Sequence, residues 1–151
     1  MYLKKYDFNR VSLDVINKIW DIIHGRVLKI DTLLQNEHGI SAYRETKKTK
    51  AVLSINDDTI YSSYNCSSYS TDNQPEIWEM ILNTQWVDPK VELPEEKDKV
   101  IIKFVNGDIR NGVFYFANKI YPESEFAFCI GSYPQTLIDI IGWLPADNVV
   151  L

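Results

Sequence analysis

The spacing of the apolar residues changes near Ile40, and this change constrains the fold more than any other feature of the chain. Upstream, apolar side chains recur at helical spacing over residues 15–27, behind Ser12, a typical N-cap, and Asp14, which suits the positive end of a helix. From Ile40 onward, short strand-forming segments follow one another. The pattern predicts an α+β protein in which an N-terminal helix packs on an antiparallel sheet.

The end of this helix has two interpretations. Gly25 suits a helix C-terminus, and we favour a break at that residue. In the alternative, the helix continues through Leu28 and Leu33-Leu34 as far as His38-Gly39.

Three strands, a loop and a short helix complete the predicted N-terminal module. The strands form a meander over residues 40–43, 51–55 and 59–64. Residues 66–74 are rich in serine and other turn-forming residues and are predicted to be a loop. Pro75 suits the first position of a helix, so a short second helix is predicted through Leu82.

The second half of the chain predicts a small antiparallel β module, barrel-like or sandwich-like. Residues 86–98 hold two prolines and a dense run of charges, which indicates a junction. The turn Asn106-Gly107-Asp108 predicts a hairpin between strands 100–105 and 109–117, with a bulge at Asn111-Gly112. Further strands are predicted over residues 126–130, 137–143 and 149–151.

This organisation predicts two modules, residues 1–84 and 85–151, with one continuous domain as the alternative. The second module is expected to have its own core, formed by Val100, Ile102, Phe104, Phe114, Phe116, Phe128, Ile140 and Trp143. The four tryptophans, Trp20, Trp78, Trp86 and Trp143, are interpreted as core and junction anchors.

The composition predicts a cytoplasmic protein without a membrane span. Hydrophobic residues make up 45 % of the 151 residues, which is enough for a packed core. No apolar run approaches the roughly 20 residues of a membrane helix, and residues 1–9 lack the apolar segment of a secretory signal. Cys66 and Cys129 are far apart in sequence and are predicted to be unpaired thiols.

The charge of the chain argues against general nucleic-acid binding. The formal net charge is −5, whereas such binding depends on basic side chains that neutralise phosphates. Residues 1–85 carry −1 and residues 86–151 carry −4. The second half is therefore the better candidate for contact with a basic protein surface.

No motif predicts catalysis, a metal site or a cofactor. His24 and His38 have no third ligand at metal spacing, and His24 is explained by its place near a helix C-terminus. The chain has no nucleophile elbow, P-loop or dinucleotide-binding glycine motif. The neighbouring carboxylates Asp57-Asp58 and Glu95-Glu96 are interpreted as turn residues.

One segment has the composition of a binding surface. It combines the most concentrated basic cluster of the chain with tyrosines among serines, and tyrosine supplies a large contact area at a low entropy cost. The alternative is that the tyrosines pack half-buried on the sheet while the lysines keep a hairpin tip soluble. The candidate binding residues are Arg44, Lys47, Lys48, Lys50, Tyr61, Tyr64 and Tyr69.

A series of short motifs recurs in a fixed order over residues 85–146. In order, they are Trp86-Val87, Leu93-Pro94-Glu95, Val100-Ile101-Ile102, Asn106-Gly107, Gly112, Phe114 and Gly142-Trp143-Leu144-Pro145. This order resembles a family of short phage and prophage domains, the domain of unknown function 551. The chain departs from the family pattern in a longer stretch over residues 118–136. The resemblance implies an origin in bacterial mobile elements and implies no activity.

Together these features predict a non-enzymatic binding protein of phage or mobile-element origin. It is expected to act by stoichiometric contact with a bacterial host protein, as an inhibitor of a defence system or as an immunity-type protein. One alternative is a protein that binds or sequesters a small nucleotide signal between the tyrosine-rich sheet and the basic loop. Another is an enzyme whose site assembles from scattered residues. The sequence does not set the oligomeric state.

Overall fold

The computed structural model describes residues 1–57, 59–65, 67–70, 74–116 and 126–150. In these ranges the chain is an α+β protein with two α-helices and three antiparallel sheets. It forms two compact units, one of Lys5–Gln85 and one that joins Met1–Lys4 to Trp86–Leu151. We call them the N-terminal unit and the C-terminal unit.

Two helices and twelve strands make up the described elements, with α1 between β1 and β2 and α2 between β6 and β7. The helices are α1 (Leu13–His24) and α2 (Pro75–Asn83). The strands are β1 (Tyr2–Leu3), β2 (Thr32–Gln35), β3 (Gly39–Glu45), β4 (Lys50–Asn56), β5 (Ile60–Tyr64), β6 (Ser67–Ser70), β7 (Lys99–Phe104), β8 (Ile109–Phe116), β9 (Phe126–Ile130), β10 (Tyr133–Gln135), β11 (Ile140–Pro145) and β12 (Val149–Val150). Short 3₁₀ turns lie at Phe8–Arg10, Leu137–Asp139 and Ala146–Asn148.

Helix α1 begins and ends where the sequence predicts. The Ser12 hydroxyl accepts a hydrogen bond from the Val15 N–H at 3.2 Å, which caps the first turn. Gly25 ends the helix with a φ of 75°, a conformation that favours glycine. The predicted break at Gly25 is confirmed, and the alternative of a longer helix is wrong because Leu33 and Leu34 lie in β2.

The N-terminal unit contains a five-stranded sheet with the order β2-β3-β4-β5-β6, antiparallel throughout. The predicted meander corresponds to β3, β4 and β5 and is confirmed. The predicted loop over residues 66–74 is wrong in part, because Ser67–Ser70 pair with β5 as strand β6. Asn65 has a φ of 54°, a turn conformation that asparagine tolerates, and it precedes this returning strand.

One face of this sheet is buried against helix α1. The buried helix residues are Ile16, Ile19 and Trp20, and Ala42 and Ala51 on the sheet are fully buried. Such small side chains allow a helix to approach a sheet closely. Helix α2 contributes Ile77 and Ile81 to the core of the same unit, and the predicted helix at Pro75 is confirmed.

The C-terminal unit contains an open sheet with the order β10-β9-β8-β7-β11 and a two-stranded ladder of β1 and β12. The predicted hairpin is confirmed: β7 and β8 pair, and Gly107 in the turn has a φ of 91°. Strand β1 was not predicted. It places Met1–Lys4 in this unit, whereas the predicted N-terminal module included them.

Two details of this sheet differ from the sequence prediction. Strands β7 and β8 keep a regular register through Asn111 and Gly112, so the predicted bulge is wrong; the irregularity lies between Ile140 and Gly142. A Cβ atom at Gly112 would come within 2.5 Å of the Ile102 Cδ1 atom, so glycine serves close packing here. Residues 137–139 form a 3₁₀ turn ahead of β11, whereas a strand was predicted over 137–143.

The core of the C-terminal unit matches most of the predicted set. Val100, Ile102, Phe114, Phe128, Ile140 and Trp143 form one buried cluster, with Phe104 partly buried against it. Phe116 is 45 % exposed, so its predicted core position is wrong. Its ring contacts that of Phe114 edge-on at a centroid distance of 5.2 Å. Phe116 is the last residue of β8 and therefore lies at the end of the strand.

Truncation of Trp143 to Ala should destabilise the protein by about 3–5 kcal/mol, because the large ring is buried and its removal leaves a cavity. The ring N–H also donates to the Glu92 carbonyl oxygen at 3.0 Å, a bond that the variant loses. Urea unfolding followed by tryptophan fluorescence and far-UV dichroism measures the change. A loss within about 0.5 kcal/mol, typical of surface positions, would show that this ring does not support the core.

Candidate functional site

The sheet of the N-terminal unit has a second face, opposite α1, which we call the outer face. Successive side chains of a strand point to opposite faces, so the burial of Ile40, Ala42 and Leu53 on the core side places their neighbours on the other side. The outer face comprises Thr32, Leu34, Ser41, Tyr43, Val52, Ser54, Tyr61 and Ser63. Leu34 is 57 % exposed and Tyr61 is 45 % exposed.

The strand register arranges these side chains in two rows across four strands. One row runs Thr32, Tyr43, Val52, Ser63, and the other runs Leu34, Ser41, Ser54, Tyr61. Each row combines hydroxyl groups with aromatic or aliphatic side chains and contains no charged residue. These two rows are therefore uncharged, and the adjoining pair of Glu45 with Lys50 brings charge to the end of this face.

The hairpin turn between β3 and β4 carries the basic tip. The Thr46 N–H donates to the Thr49 carbonyl oxygen at 2.8 Å, and this bond closes the turn that exposes Lys47 and Lys48. Lys50 is also exposed and begins β4 on the same side as the outer face. The structure thus brings three of the four predicted basic residues to one edge of the outer face.

Arg44 is separated from these lysines. It lies in β3 on the side of Ala42, half-buried, and its guanidinium Nη1 donates to the Lys29 carbonyl oxygen at 3.2 Å. The side chain holds the segment ahead of β2 against the sheet. Successive side chains of a strand point to opposite faces, and this alternation separates Arg44 from Lys47 and Lys48. The run of basic residues in the sequence does not show it.

The predicted tyrosines also divide between the two faces. Tyr61 lies on the outer face, whereas Tyr64 lies on the face of α1, with its ring centroid 6.1 Å from that of Trp20. Tyr69 lies in β6, where its backbone pairs with Ser62, but its side chain is outside the described part of the structure. Tyr43 and Leu34 belong to the outer face and were missed by the sequence analysis. Side chains two residues apart in a strand share a face. Applied to Ser41-Tyr43 and to Tyr61-Ser63, this rule identifies Tyr43 as an outer-face residue.

A second group of polar side chains, also not predicted, lies under the sheet. The His24 Nε2 atom and the Ser62 hydroxyl are 2.9 Å apart, and the His24 ring stacks on Trp20 at a centroid distance of 4.1 Å. Ser62 is fully buried, so its hydroxyl has no access to a substrate from solvent. Burial lowers the pKa of His24, which favours the neutral imidazole. The pair therefore serves to satisfy a buried hydroxyl.

Other reactive side chains do not converge in the described residues. Within these ranges, no three His, Cys, Asp or Glu side chains are grouped so that they could hold a metal ion. Cys129 is an unpaired, buried thiol, and burial raises its pKa, which disfavours the reactive thiolate. Cys66 and Asp58 lie outside the described ranges. Glu95 and Glu96 are exposed, and the Glu95 N–H donates to the Asp98 carboxylate at 3.0 Å, as expected for a turn.

Comparison with known proteins does not extend this description. No family model, curated protein or solved structure matches the chain. The resemblance of residues 85–146 to the domain of unknown function 551 stays a prediction. Among the described helices, neither α1 nor α2 has the length and apolar character needed to cross a membrane.

The partly buried position of His24 makes stability depend on pH. Because the pKa of His24 is lowered in the folded chain, the unfolded chain binds more protons as the pH falls through the ordinary histidine value of about 6.5. Stability should therefore decrease on acidification from pH 7.5 to 5.5, and His24→Gln should reduce that slope. Urea unfolding at a series of pH values measures it.

The control for this experiment is His38→Gln, since His38 lies in an exposed turn beside Glu37. The slope should fall further in His24→Gln than in this control. If the two variants change it equally, the contact between His24 and Ser62 does not govern the response to acid.

Proposed function

We propose that this chain is a non-enzymatic binding protein that acts by stoichiometric contact with a protein partner. The contact surface is the outer face together with the basic tip at Lys47, Lys48 and Lys50. The observation that carries the proposal is the uncharged combination of tyrosine, serine and aliphatic side chains in two rows across four strands, with Leu34 and Tyr61 exposed.

The chemistry of this surface supports protein recognition. Tyrosine gives a large amphipathic contact area with few rotatable bonds, and serine adds adaptable hydrogen bonds; this pair of residues also dominates antibody binding loops. The absence of charge in both rows lowers the cost of removing water when a partner covers them. Because hot-spot residues cluster at the centre of an interface, we expect Tyr43, Val52 and Tyr61 to dominate the affinity.

The lysines of the tip have a different role in the proposal. They lie at the rim and are exposed, so their charges act mainly on the approach of a partner rather than on the complex once formed. A partner with acidic groups beside an apolar or polar patch fits this arrangement. The partner predicted from the sequence, a bacterial host protein contacted in the cytoplasm by a phage-derived inhibitor or immunity-type protein, remains part of the proposal.

The two other functions have less support. A nucleotide site between Tyr61, Tyr64 and the basic loop requires side chains that lie on opposite faces of the sheet. An enzyme built on the contact between His24 and Ser62 requires access to a hydroxyl that is fully buried. A protein contact on the outer face requires neither side chains from both faces of the sheet nor access to a buried hydroxyl.

The proposal is tested by capture and then by kinetics with a purified partner. The wild-type protein, immobilised and exposed to a bacterial host lysate, should retain a partner that binds near 1:1 in calorimetry. Tyr61→Ala should weaken that binding by about tenfold or more, mainly by raising the off-rate. Reversal of charge at Lys47 and Lys48 should instead lower the on-rate and its dependence on salt.

The matched control is Tyr133→Ala, which removes a tyrosine that is 76 % exposed on β10 of the C-terminal unit. It should leave both rates unchanged, and far-UV dichroism should show every variant folded. If binding survives the changes at Tyr61, Lys47 and Lys48 but is lost in Glu95→Lys with Glu96→Lys, the contact lies on the acidic C-terminal unit and the proposal is wrong.

A further inference from the structure

Strand β2 is an open edge of the N-terminal sheet. The Asn36 N–H donates to the Gly39 carbonyl oxygen at 3.1 Å, which makes Asn36 and Gly39 a hydrogen-bonded pair. Because such pairs alternate along an antiparallel ladder, Leu34 and Thr32 also bond to β3, and the backbone groups of Leu33 and Gln35 point away from it. No described strand lies on that side of β2.

Strand β2 lacks the features that protect the two edges of the C-terminal sheet, β10 and β11. The edge strand β10 contains Pro134, which has no N–H to offer a further strand. At β11, Val87 and Trp143 exchange two backbone hydrogen bonds of 3.0 Å, which cover part of the edge. By contrast, β2 contains neither proline nor charge, and its Leu34 is 57 % exposed.

From this edge we infer that β2 pairs with β2 of a second copy of the chain, in antiparallel orientation about a twofold axis. The two five-stranded sheets then form one sheet of ten strands. An antiparallel edge is complementary to itself, since each copy offers the N–H and C=O groups that the other needs. The inference is independent of the proposed function and adds a self-association surface to it.

The charges beside β2 select the register of this pairing. A register centred on Leu33 places Asp31 opposite the neutral Gln35 of the second copy and Lys29 opposite its Glu37. A register centred on Leu34 places Asp31 opposite Glu37, which is repulsive. Residue 29 lies ahead of β2, and its carbonyl oxygen accepts from the Arg44 side chain, which extends from β3. Lys29 and Glu37 are both exposed, and the Glu37 carboxylate also lies 3.2 Å from His38.

Sedimentation equilibrium of the full chain over a concentration series, at pH 8 and low salt, tests the pairing. The wild-type protein should dimerise. Leu34→Lys adds the kind of charge that protects natural edges and should abolish the dimer, whereas Tyr133→Lys on the β10 edge should leave it unchanged. Far-UV dichroism should show both variants folded.

A charge exchange tests the register. Glu37→Lys alone places Lys29 opposite a lysine at two symmetric positions and should weaken the dimer by about tenfold. Lys29→Glu added to Glu37→Lys should restore it. The inference is overturned if the wild-type protein stays monomeric at the highest concentration, or if Leu34→Lys remains dimeric. A monomer that still binds its partner through Tyr61 would leave the proposed function intact.

Discussion

The register between β3 and β4 is the constraint on which the N-terminal unit depends. It runs without interruption from the pair of Gly39 with Asn56 to the pair of Glu45 with Lys50, and the turn at Thr46 closes it. A slip of one residue would move Ala42 to solvent and Tyr43 into the core. The same register thus fixes both the surface that packs on α1 and the composition of the outer face.

Two side-chain amides, those of Asn17 and Gln35, hold irregular segments against this framework. Asn17 accepts from the Ile30 N–H at 2.8 Å and donates to its carbonyl oxygen at 3.1 Å, so it replaces the strand partner that this residue lacks. Gln35 donates to the carbonyl oxygens of Phe8 and Val11. An amide both donates and accepts, which suits it to satisfy buried backbone groups outside helices and sheets.

The sequence predicts the elements whose signals are local. Helix α1 has a cap, a periodic apolar face and a terminal glycine, and the β7–β8 hairpin has a turn sequence. Strands β2, β6 and β10 are short and lack such signals. Pairing with a neighbouring strand, and not the propensity of their own residues, gives them their extended conformation. The candidate site shows the same limit. The lysines of the tip and Tyr61 are found from composition, whereas the partition of Arg44 and Tyr64 to the other face requires the register.

The two hydrogen bonds between Gln85 and Asp7 have a consequence for the connectivity of the chain. The Gln85 side chain accepts from the Asp7 N–H at 2.7 Å and donates to the Asp7 carbonyl oxygen at 3.0 Å, so the N-terminal unit is tied together where it begins and ends. In topological terms this unit is an insertion between β1 and the rest of the C-terminal unit. A segment whose ends meet tolerates circular permutation, with Lys5 and Gln85 joined by a short linker and new termini opened in the exposed turn at Lys47-Lys48.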